Sequence, residues 1–308
     1  MFQRLKPHAL GALSLSLYFY NTVFWAPPLM VFTALKMLVP VRGWQRLCGR
    51  ILNGCATCWV GGNNLNQRLL SGTRWDVQGL QDLDKKGWYL VISNHQSWVD
   101  ILVLQRIFHR RIPFLKFFLK KELIWIPILG PCWWALDFPF MKRYSKRFLK
   151  KHPHLKGKDF ETTVKACEKF KTLPVSVMNF VEGTRFSPEK QARQRSPYRH
   201  LLKTRAGGAA LVLSTMGPQM NAVLNVTIAY PGGVKSFWSF LCGRIERITV
   251  RVNAIPVTDT LIGDYACDRA FRTRFHRWLN NLWVAKDRLI DDLLHQSQVP
   301  LHHYLVSA

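Results

Sequence analysis

Short apolar runs alternate with helical patterns along most of this chain. Runs rich in apolar and β-branched residues predict strands at residues 73–79, 87–93, 174–183, 222–230 and 247–257. Apolar residues three and four positions apart predict helices at residues 44–60, 98–108, 159–171 and 264–295. Strands that alternate with helices are typical of a mixed, largely parallel sheet flanked by helices, so we predict an α/β fold. We expect the last helix to pack on the sheet, with contact to a membrane surface as the alternative.

The N-terminal residues form a separate hydrophobic segment. Residues 9–35 contain no charged side chain, and about 20 apolar residues are enough for a helix to cross a bilayer. Pro27 and Pro28 predict a break in this helix, because proline removes a backbone donor and clashes with the preceding turn. Basic residues flank both ends, and such flanks favour the cytoplasmic side. We therefore expect an uncleaved membrane anchor, bent or re-entrant within one leaflet, in preference to a straight span.

Glycine and asparagine at residues 61–64 predict a break after an amphipathic helix. We place the domain boundary there, with a membrane anchor and an amphipathic connecting helix in residues 1–62. Residues 63–308 then form the globular domain, which ends in a helical segment. A second uncharged run, residues 123–136, contains three tryptophans and is too short to span a bilayer. This run is predicted to be an interfacial loop, the wall of an apolar tunnel or a buried core segment.

The net charge of the chain limits the classes of molecule that it can bind. There are 44 Lys and Arg against 18 Asp and Glu, which gives a formal net charge of +26. Such a surface favours nucleic acid, anionic lipid headgroups or phosphorylated substrates. No recognised nucleic-acid-binding motif accompanies this charge. The pair Cys55-x-x-Cys58 has no second pair to complete a zinc site, so we expect no metal and a reduced, cytosol-facing protein.

The stretch SNHQSWVD, residues 93–100, lies between a predicted strand and a predicted helix. Ser97 and Asp100 have the spacing of a capping box, in which both side chains bond backbone N–H groups at a helix start. Alternatively, Asp100 holds His95, so that one ring nitrogen is fixed and the other can take a proton from a hydroxyl. Neither Ser93 nor Ser97 lies in the G-x-S-x-G pattern of a serine hydrolase.

A second motif, FVEGTR at residues 180–185, ends another predicted strand. Gly183 allows close approach of the backbone, Thr184 supplies a hydroxyl, and Arg185 presents a fork of donors that matches a phosphate. Taken alone, this run is also compatible with an ordinary turn.

Together, the two motifs resemble those of the glycerolipid acyltransferase family, which includes 1-acylglycerol-3-phosphate acyltransferases. His95 and Asp100 occupy the defining positions of the NHxxxxD block, and FVEGTR matches the FPEGTR block with Val181 in place of proline. FPFMKR, residues 138–143, resembles the second block, and VTIAYPG, residues 226–232, resembles the fourth block of the branch with lysocardiolipin acyltransferases. The resemblance covers roughly residues 75–232.

The resemblance implies a membrane-bound enzyme that moves a fatty acyl group from a thioester to the free sn-2 hydroxyl of lysophosphatidic acid or a related lysophospholipid. His95 would be the general base and Asp100 would stabilise its imidazolium, with no covalent acyl-enzyme. The residues implied to hold the substrate phosphate are Arg143, Glu182, Gly183, Thr184 and Arg185. No cofactor is implied beyond the co-substrate, acyl-CoA or acyl-carrier protein. The catalytic domain would face the cytoplasm on an anionic membrane surface (the inner or plasma membrane in a bacterium) and bind no nucleic acid.

Two other classes of function remain as alternatives. The net charge also suits a membrane-tethered nucleic-acid-binding protein, whose binding would depend strongly on salt. A lipase or thioesterase would instead form a covalent acyl-serine, which a chemical assay would detect.

Overall fold

The predicted sheet is present at the centre of the molecule. In the computed structural model, which describes residues 2–141, 158–171 and 173–296, six strands form one sheet in the order β1-β8-β7-β2-β6-β3. These strands are β1 (Arg74–Gln78), β2 (Tyr89–Ser93), β3 (Leu115–Phe117), β6 (Ser176–Asn179), β7 (Ala222–Ala229) and β8 (Arg247–Pro256). Only the β7–β8 pair is antiparallel within this sheet. Two short strands, β4 (Leu119–Lys120) and β5 (Phe140–Met141), pair separately.

Helices cover both faces of the sheet, which explains why its central strands are almost entirely buried. On β2, Tyr89 and Val91 belong to one buried cluster, and Leu90 and Ile92 belong to the cluster on the opposite face. The helices are α1 (Phe2–Leu38), α2 (Arg42–Leu70), α3 (Val99–Phe108), α4 (Leu129–Ala135), α5 (Lys158–Phe170), α6 (Pro188–Gln194), α7 (Gly207–Met216), α8 (Phe237–Leu241) and α9 (Arg269–Gln296). The predicted α/β fold with a largely parallel sheet is therefore confirmed.

The first helix differs from the prediction, because α1 continues through Pro27 and Pro28 without a break. Trp25, before the prolines, and Leu29, after them, both face the same large cavity. Leu29 also belongs to a buried apolar cluster against which Trp25 packs, so contacts with one core stabilise both halves of the helix and compensate for the backbone bonds that the prolines remove. Within the described part of the chain, no helix has the length and apolar character needed to span a membrane. The membrane anchor stays a prediction.

The predicted break at residues 61–64 is wrong, since α2 runs through it, and the predicted boundary at residue 62 falls inside this helix. A Cβ atom on Gly62 would lie 2.5 Å from Oδ1 of Asn21, so glycine permits close approach of α1 to α2. The Asn21 Nδ2 group donates to Oδ1 of Asn63 at 2.8 Å, and the Asn66 Nδ2 group donates to the Ser14 carbonyl at 2.9 Å. These small and polar residues therefore serve helix–helix packing and form no turn.

The last helix packs on the sheet, as its apolar spacing predicts. Phe271, Phe275 and Trp283 on α9 are almost completely buried. Lys286 is buried on the same helix, and its ammonium donates to the Val226 carbonyl of β7 and, at 3.2 Å, to the Thr227 hydroxyl. Burial lowers the pKa of Lys286 to about 7.

Candidate active site

His95 and Asp100 lie together where β2 ends and α3 begins. Nδ1 of His95 is 2.9 Å from Oδ2 of Asp100. The His95 side chain is 12% exposed and that of Asp100 is 1% exposed, so the pair is shielded from bulk water. Because the carboxylate can only accept, Nδ1 carries the proton and Nε2 is the nitrogen that can take one.

The same carboxylate also organises the start of the helix. Oδ2 of Asp100 accepts from the backbone N–H of Gln96 at 2.6 Å and of Ser97 at 2.8 Å. The Ser97 hydroxyl in turn accepts from the N–H of Val99 at 3.2 Å. The capping interpretation and the interpretation with His95 therefore hold simultaneously, through one oxygen atom.

Asn94 fixes the strand end just before His95. Its amide donates to the Ile228 carbonyl at 2.9 Å and accepts from the Ile228 N–H at 2.9 Å. This side chain replaces the backbone ladder where β2 leaves its neighbour β7.

Tyr230 completes the shell around Asp100, and sequence reasoning did not identify it as a site residue. Its buried hydroxyl donates to Oδ1 of Asp100. Burial, and then the negative charge of Asp100, raise the pKa of Tyr230 well above its usual value, so the hydroxyl keeps its proton and remains a donor. Tyr230 follows β7 directly, and β7 is the parallel neighbour of β2, a pairing that only the structure shows. Side chains at the carboxyl ends of adjacent parallel strands meet at one edge of a sheet.

The second motif packs directly against the first. The Phe180 ring stacks on the His95 ring with centroids 3.9 Å apart, and the Phe186 N–H donates to the His95 carbonyl at 2.7 Å. Gly183 adopts φ +70°, a conformation that favours glycine, in a turn closed by its N–H to the Phe180 carbonyl. Val181, which replaces the usual proline, is buried in the core beneath this turn.

Glu182 lies behind the cavity wall and links the two motifs. One of its carboxylate oxygens accepts from the His95 N–H at 3.1 Å and the other from the Leu202 N–H at 3.0 Å. Burial raises the pKa of Glu182 to about 8, although both backbone donors favour its ionised form. The contacts of this side chain thus go to the backbone on which His95 is held.

A cavity of about 990 Å³ opens beside His95. Its apolar part is formed by α1, α3, β3 and the segment at residues 123–136, including Trp25, Ile101, Phe117 and Trp133. In that segment Trp133 faces the cavity, whereas Trp125 is 83% exposed and Trp134 is 49% exposed. The segment therefore forms part of the cavity wall on one side and presents tryptophan to solvent on the other.

The other part of the cavity is cationic. The predicted residues Gly183, Thr184 and Arg185 line it, together with Lys190, Arg193 and Arg205, which sequence reasoning missed. Lys120 and Glu122 also line the cavity and were not predicted. The Lys190 ammonium donates to the Thr184 hydroxyl at 3.0 Å and to the Arg185 carbonyl at 2.8 Å. The Arg185 guanidinium lies over the Trp98 ring, 4.6 Å from its centroid. Arg143 lies outside the described residues.

A family model described as Acyltransferase matches residues 74–230, about half of the chain. The chain belongs to the acyltransferase family. Within the matched range lie the His95–Asp100 pair, the turn at Gly183 and Tyr230.

Two mammalian relatives of this acyltransferase are 1-acyl-sn-glycerol-3-phosphate acyltransferases. The mouse 1-acyl-sn-glycerol-3-phosphate acyltransferase epsilon is 22% identical over 223 residues, which cover 65% of this chain and 56% of the relative. The human 1-acyl-sn-glycerol-3-phosphate acyltransferase gamma is 23% identical over 213 residues, which cover 65% of this chain and 52% of the relative. The chain thus spans about half the length of the curated relatives it matches.

A solved structure has the same fold. The crystal structure of the 1-acyl-sn-glycerophosphate (LPA) acyltransferase PlsC from Thermotoga maritima matches with a TM-score of 0.51 and 17% sequence identity. The match covers 92% of this chain and 95% of PlsC, so it includes helices on both sides of the family match as well as the sheet.

Ser93 and Ser97 lie close to His95 along the chain, and their hydroxyl groups bond elsewhere. The hydroxyl of Ser93 donates to the Asn94 carbonyl and that of Ser97 donates to the Lys235 carbonyl, so neither serine is hydrogen-bonded to His95. In the described part of the acyltransferase, no three His, Cys, Asp or Glu side chains cluster as metal ligands would.

Proposed function

We propose that this acyltransferase moves a fatty acyl group from a thioester, acyl-CoA or acyl-carrier protein, to the free sn-2 hydroxyl of lysophosphatidic acid or a related lysophospholipid. One observation carries the proposal: His95 lines a single cavity that is apolar on one side and cationic on the other. An acceptor with a phosphate and a donor with a fatty chain need both kinds of wall at the reacting atoms. The names of the relatives support the same substrate class.

In the proposed reaction His95 acts as general base and Asp100 as its partner. Nε2 of His95 takes the proton of the acceptor hydroxyl while the hydroxyl oxygen attacks the thioester carbonyl. The carboxylate of Asp100 stabilises the imidazolium. The tetrahedral intermediate then expels the thiolate, which takes the proton from Nε2 and leaves as the free thiol, so the products are an ester and a thiol with no acyl-enzyme.

We assign the acceptor phosphate to the cationic side of the cavity. Gly183 lies in a half-buried turn that lines the cavity, Thr184 offers a hydroxyl, and Arg185 offers a guanidinium that its stacking on Trp98 orients. Arg143 belongs to the same proposal on the basis of sequence alone. For Glu182 we propose a positioning role, because both of its oxygens are occupied by backbone donors.

We further propose that α1 docks the enzyme on an anionic membrane, with the catalytic domain on the cytoplasmic side. Phe19, Tyr20 and Phe24 are exposed on α1, at 57%, 66% and 68%. Aromatic residues exposed on a helix, beside a strongly basic protein, favour binding in the plane of the membrane interface. The position of α1 along the cavity wall would let a lipid chain pass between the membrane and the site.

A direct assay tests the proposed function. Purified protein in mixed micelles is supplied with radiolabelled acyl-CoA or acyl-carrier protein and with a panel of lysophospholipids, and labelled diacyl product is measured. We expect transfer to at least one phosphorylated acceptor and none with His95→Ala. Hydrolysis of the thioester without transfer, or a stable acyl-protein adduct, would contradict the mechanism.

A further inference from the structure

A second cavity lies on the same face of the sheet, at the end away from His95. Its volume is about 700 Å³. It is bounded by α2, by the end of α3, and by the residues that precede β2, β3 and β6. Apart from residues that it shares with the cavity beside His95, this cavity has no part in the function proposed above.

The rim of this cavity is strongly cationic. Arg50, Lys85, Lys86 and Arg110 line it, and its described lining includes no Asp or Glu. Among the described residues, none of these four side chains makes a hydrogen bond or an ion pair. Behind the rim, Trp88 and Phe108 provide aromatic wall. Unpaired cations around a concave aromatic surface favour a small ligand with several phosphates and a planar ring.

The two cavities adjoin. Gln105 and Phe114 line both of them. Trp98, directly before α3, lines the first cavity beside His95. Gln105 lies on α3 seven residues further along the chain, which corresponds to about 10 Å along the helix axis. Oε1 of Gln105 is buried and has no hydrogen-bond donor in the described structure. An acceptor of this kind needs a partner, and a bound ligand with an amide N–H supplies one.

We propose that the second cavity binds the nucleotide end of an acyl-CoA donor, and that the pantetheine arm passes Gln105 to bring the thioester to His95. This inference rests on the proposed function. The pyrophosphate and the ribose phosphate of coenzyme A match the four cations, and adenine matches the aromatic wall. The arm contains two amides, either of which can donate to Oε1 of Gln105. An acyl-carrier protein, in contrast, would bind on the outer surface of the enzyme and would leave the aromatic wall of the second cavity without a ligand.

The test measures donor binding separately from acceptor binding in the full chain. Arg50→Ala combined with Arg110→Ala removes two of the rim charges. The control is Lys203→Ala combined with Arg277→Ala, which removes the same charge at two exposed positions that line neither cavity. We expect the first pair to raise the KM for acyl-CoA at least tenfold and to weaken calorimetric binding of free coenzyme A similarly. The KM for lysophosphatidic acid should stay within twofold for both pairs.

The outcomes separate this inference from the proposed function. An active enzyme whose KM for acyl-CoA is the same in both pairs overturns the donor site and leaves the function standing. If the enzyme accepts acyl-carrier protein but no acyl-CoA, the donor site is likewise overturned and the proposed function is not. A wild-type protein that transfers to no acceptor overturns the function itself. If the double variant does not fold, Lys86→Glu in an exposed loop gives the same comparison, and Gln105→Leu should raise the donor KM without changing the acceptor KM.

Discussion

Asp100→Asn is the most informative substitution, because one carboxylate serves both helix capping and the proposed chemistry. Oδ2 accepts from the His95 ring, from the Gln96 N–H and from the Ser97 N–H, and Oδ1 accepts from Tyr230. The asparagine oxygen can take the place of Oδ2 and keep three donors. The amide nitrogen then faces the Tyr230 hydroxyl, which can rotate to accept. The geometry should therefore survive, and the free energy of unfolding should fall by no more than about 1.5 kcal/mol.

Turnover should respond differently, because the amide carries no negative charge beside the imidazolium. We expect kcat to fall by about 10²–10⁴, the usual contribution of general acid–base catalysis. At about 1.4 kcal/mol per tenfold change, this loss equals roughly 2.8–5.6 kcal/mol of transition-state stabilisation. Catalysis should thus lose more free energy than the fold does.

The assay pairs thermal melting in detergent with acyl transfer for each variant. Ser97→Ala is the matched control, because it removes the hydroxyl that accepts from the Val99 N–H and leaves Asp100 intact. Loss of such a helix cap reduces stability by about 1 kcal/mol, and turnover should change little. If Asp100→Asn melts early yet turns over normally once folded, the carboxylate is a structural cap only and the general-base mechanism is refuted.

Three further predictions concern the phosphate site, the buried carboxyl and the membrane face. Arg185→Ala should raise the acceptor KM about ten- to a hundredfold, since a phosphate contact contributes roughly 1.5–3 kcal/mol, and should leave the donor KM nearly constant; an unchanged acceptor KM would remove Arg185 from the phosphate site. The pKa of Glu182 is raised to about 8, so above its ordinary value of 4.5 the folded protein keeps a proton that the unfolded chain releases, and the free energy of unfolding falls as pH rises. Lys286 has the opposite effect on the free energy of unfolding, but only above about pH 7. Its pKa is lowered to about 7 in the folded protein, so at higher pH the unfolded chain holds a proton that the folded protein has released. Glu182→Gln should therefore flatten the decline between pH 4.5 and 7 by up to about 1.4 kcal/mol per pH unit, measured by denaturant unfolding; an identical slope would contradict the shifted pKa. Phe19→Ser with Phe24→Ser should weaken binding to anionic vesicles at least about tenfold, because each ring contributes roughly 1.5–3 kcal/mol when buried, and should leave the melting temperature unchanged; undiminished vesicle sedimentation would exclude α1 as the docking face.

Local pattern predicted the central strands well and the short ones poorly. β2 and β7 have long apolar runs, and the observed ranges lie within those predicted. β4 and β5 have two residues each and no periodicity, so only their pairing with each other defines them. Gly62 and the adjacent Asn63 were misinterpreted as a turn, because the contact that they serve is with Asn21, more than 40 positions away.

The class of fold, the family and the two motifs could be inferred from the amino-acid sequence, because these depend on residues that are close together along the chain. His95 and Asp100 are five positions apart, so the start of α3 alone brings them into contact. Three other features became known from the packing of the folded chain: Tyr230 donates to Asp100, Glu182 accepts from the His95 backbone, and helix α1 lines the cavity beside His95. Those contacts depend on which strands are neighbours and on how α1 packs. Tyr230 and Asp100 are 130 positions apart and Glu182 and His95 are 87 positions apart, so no local pattern in the sequence indicates these contacts.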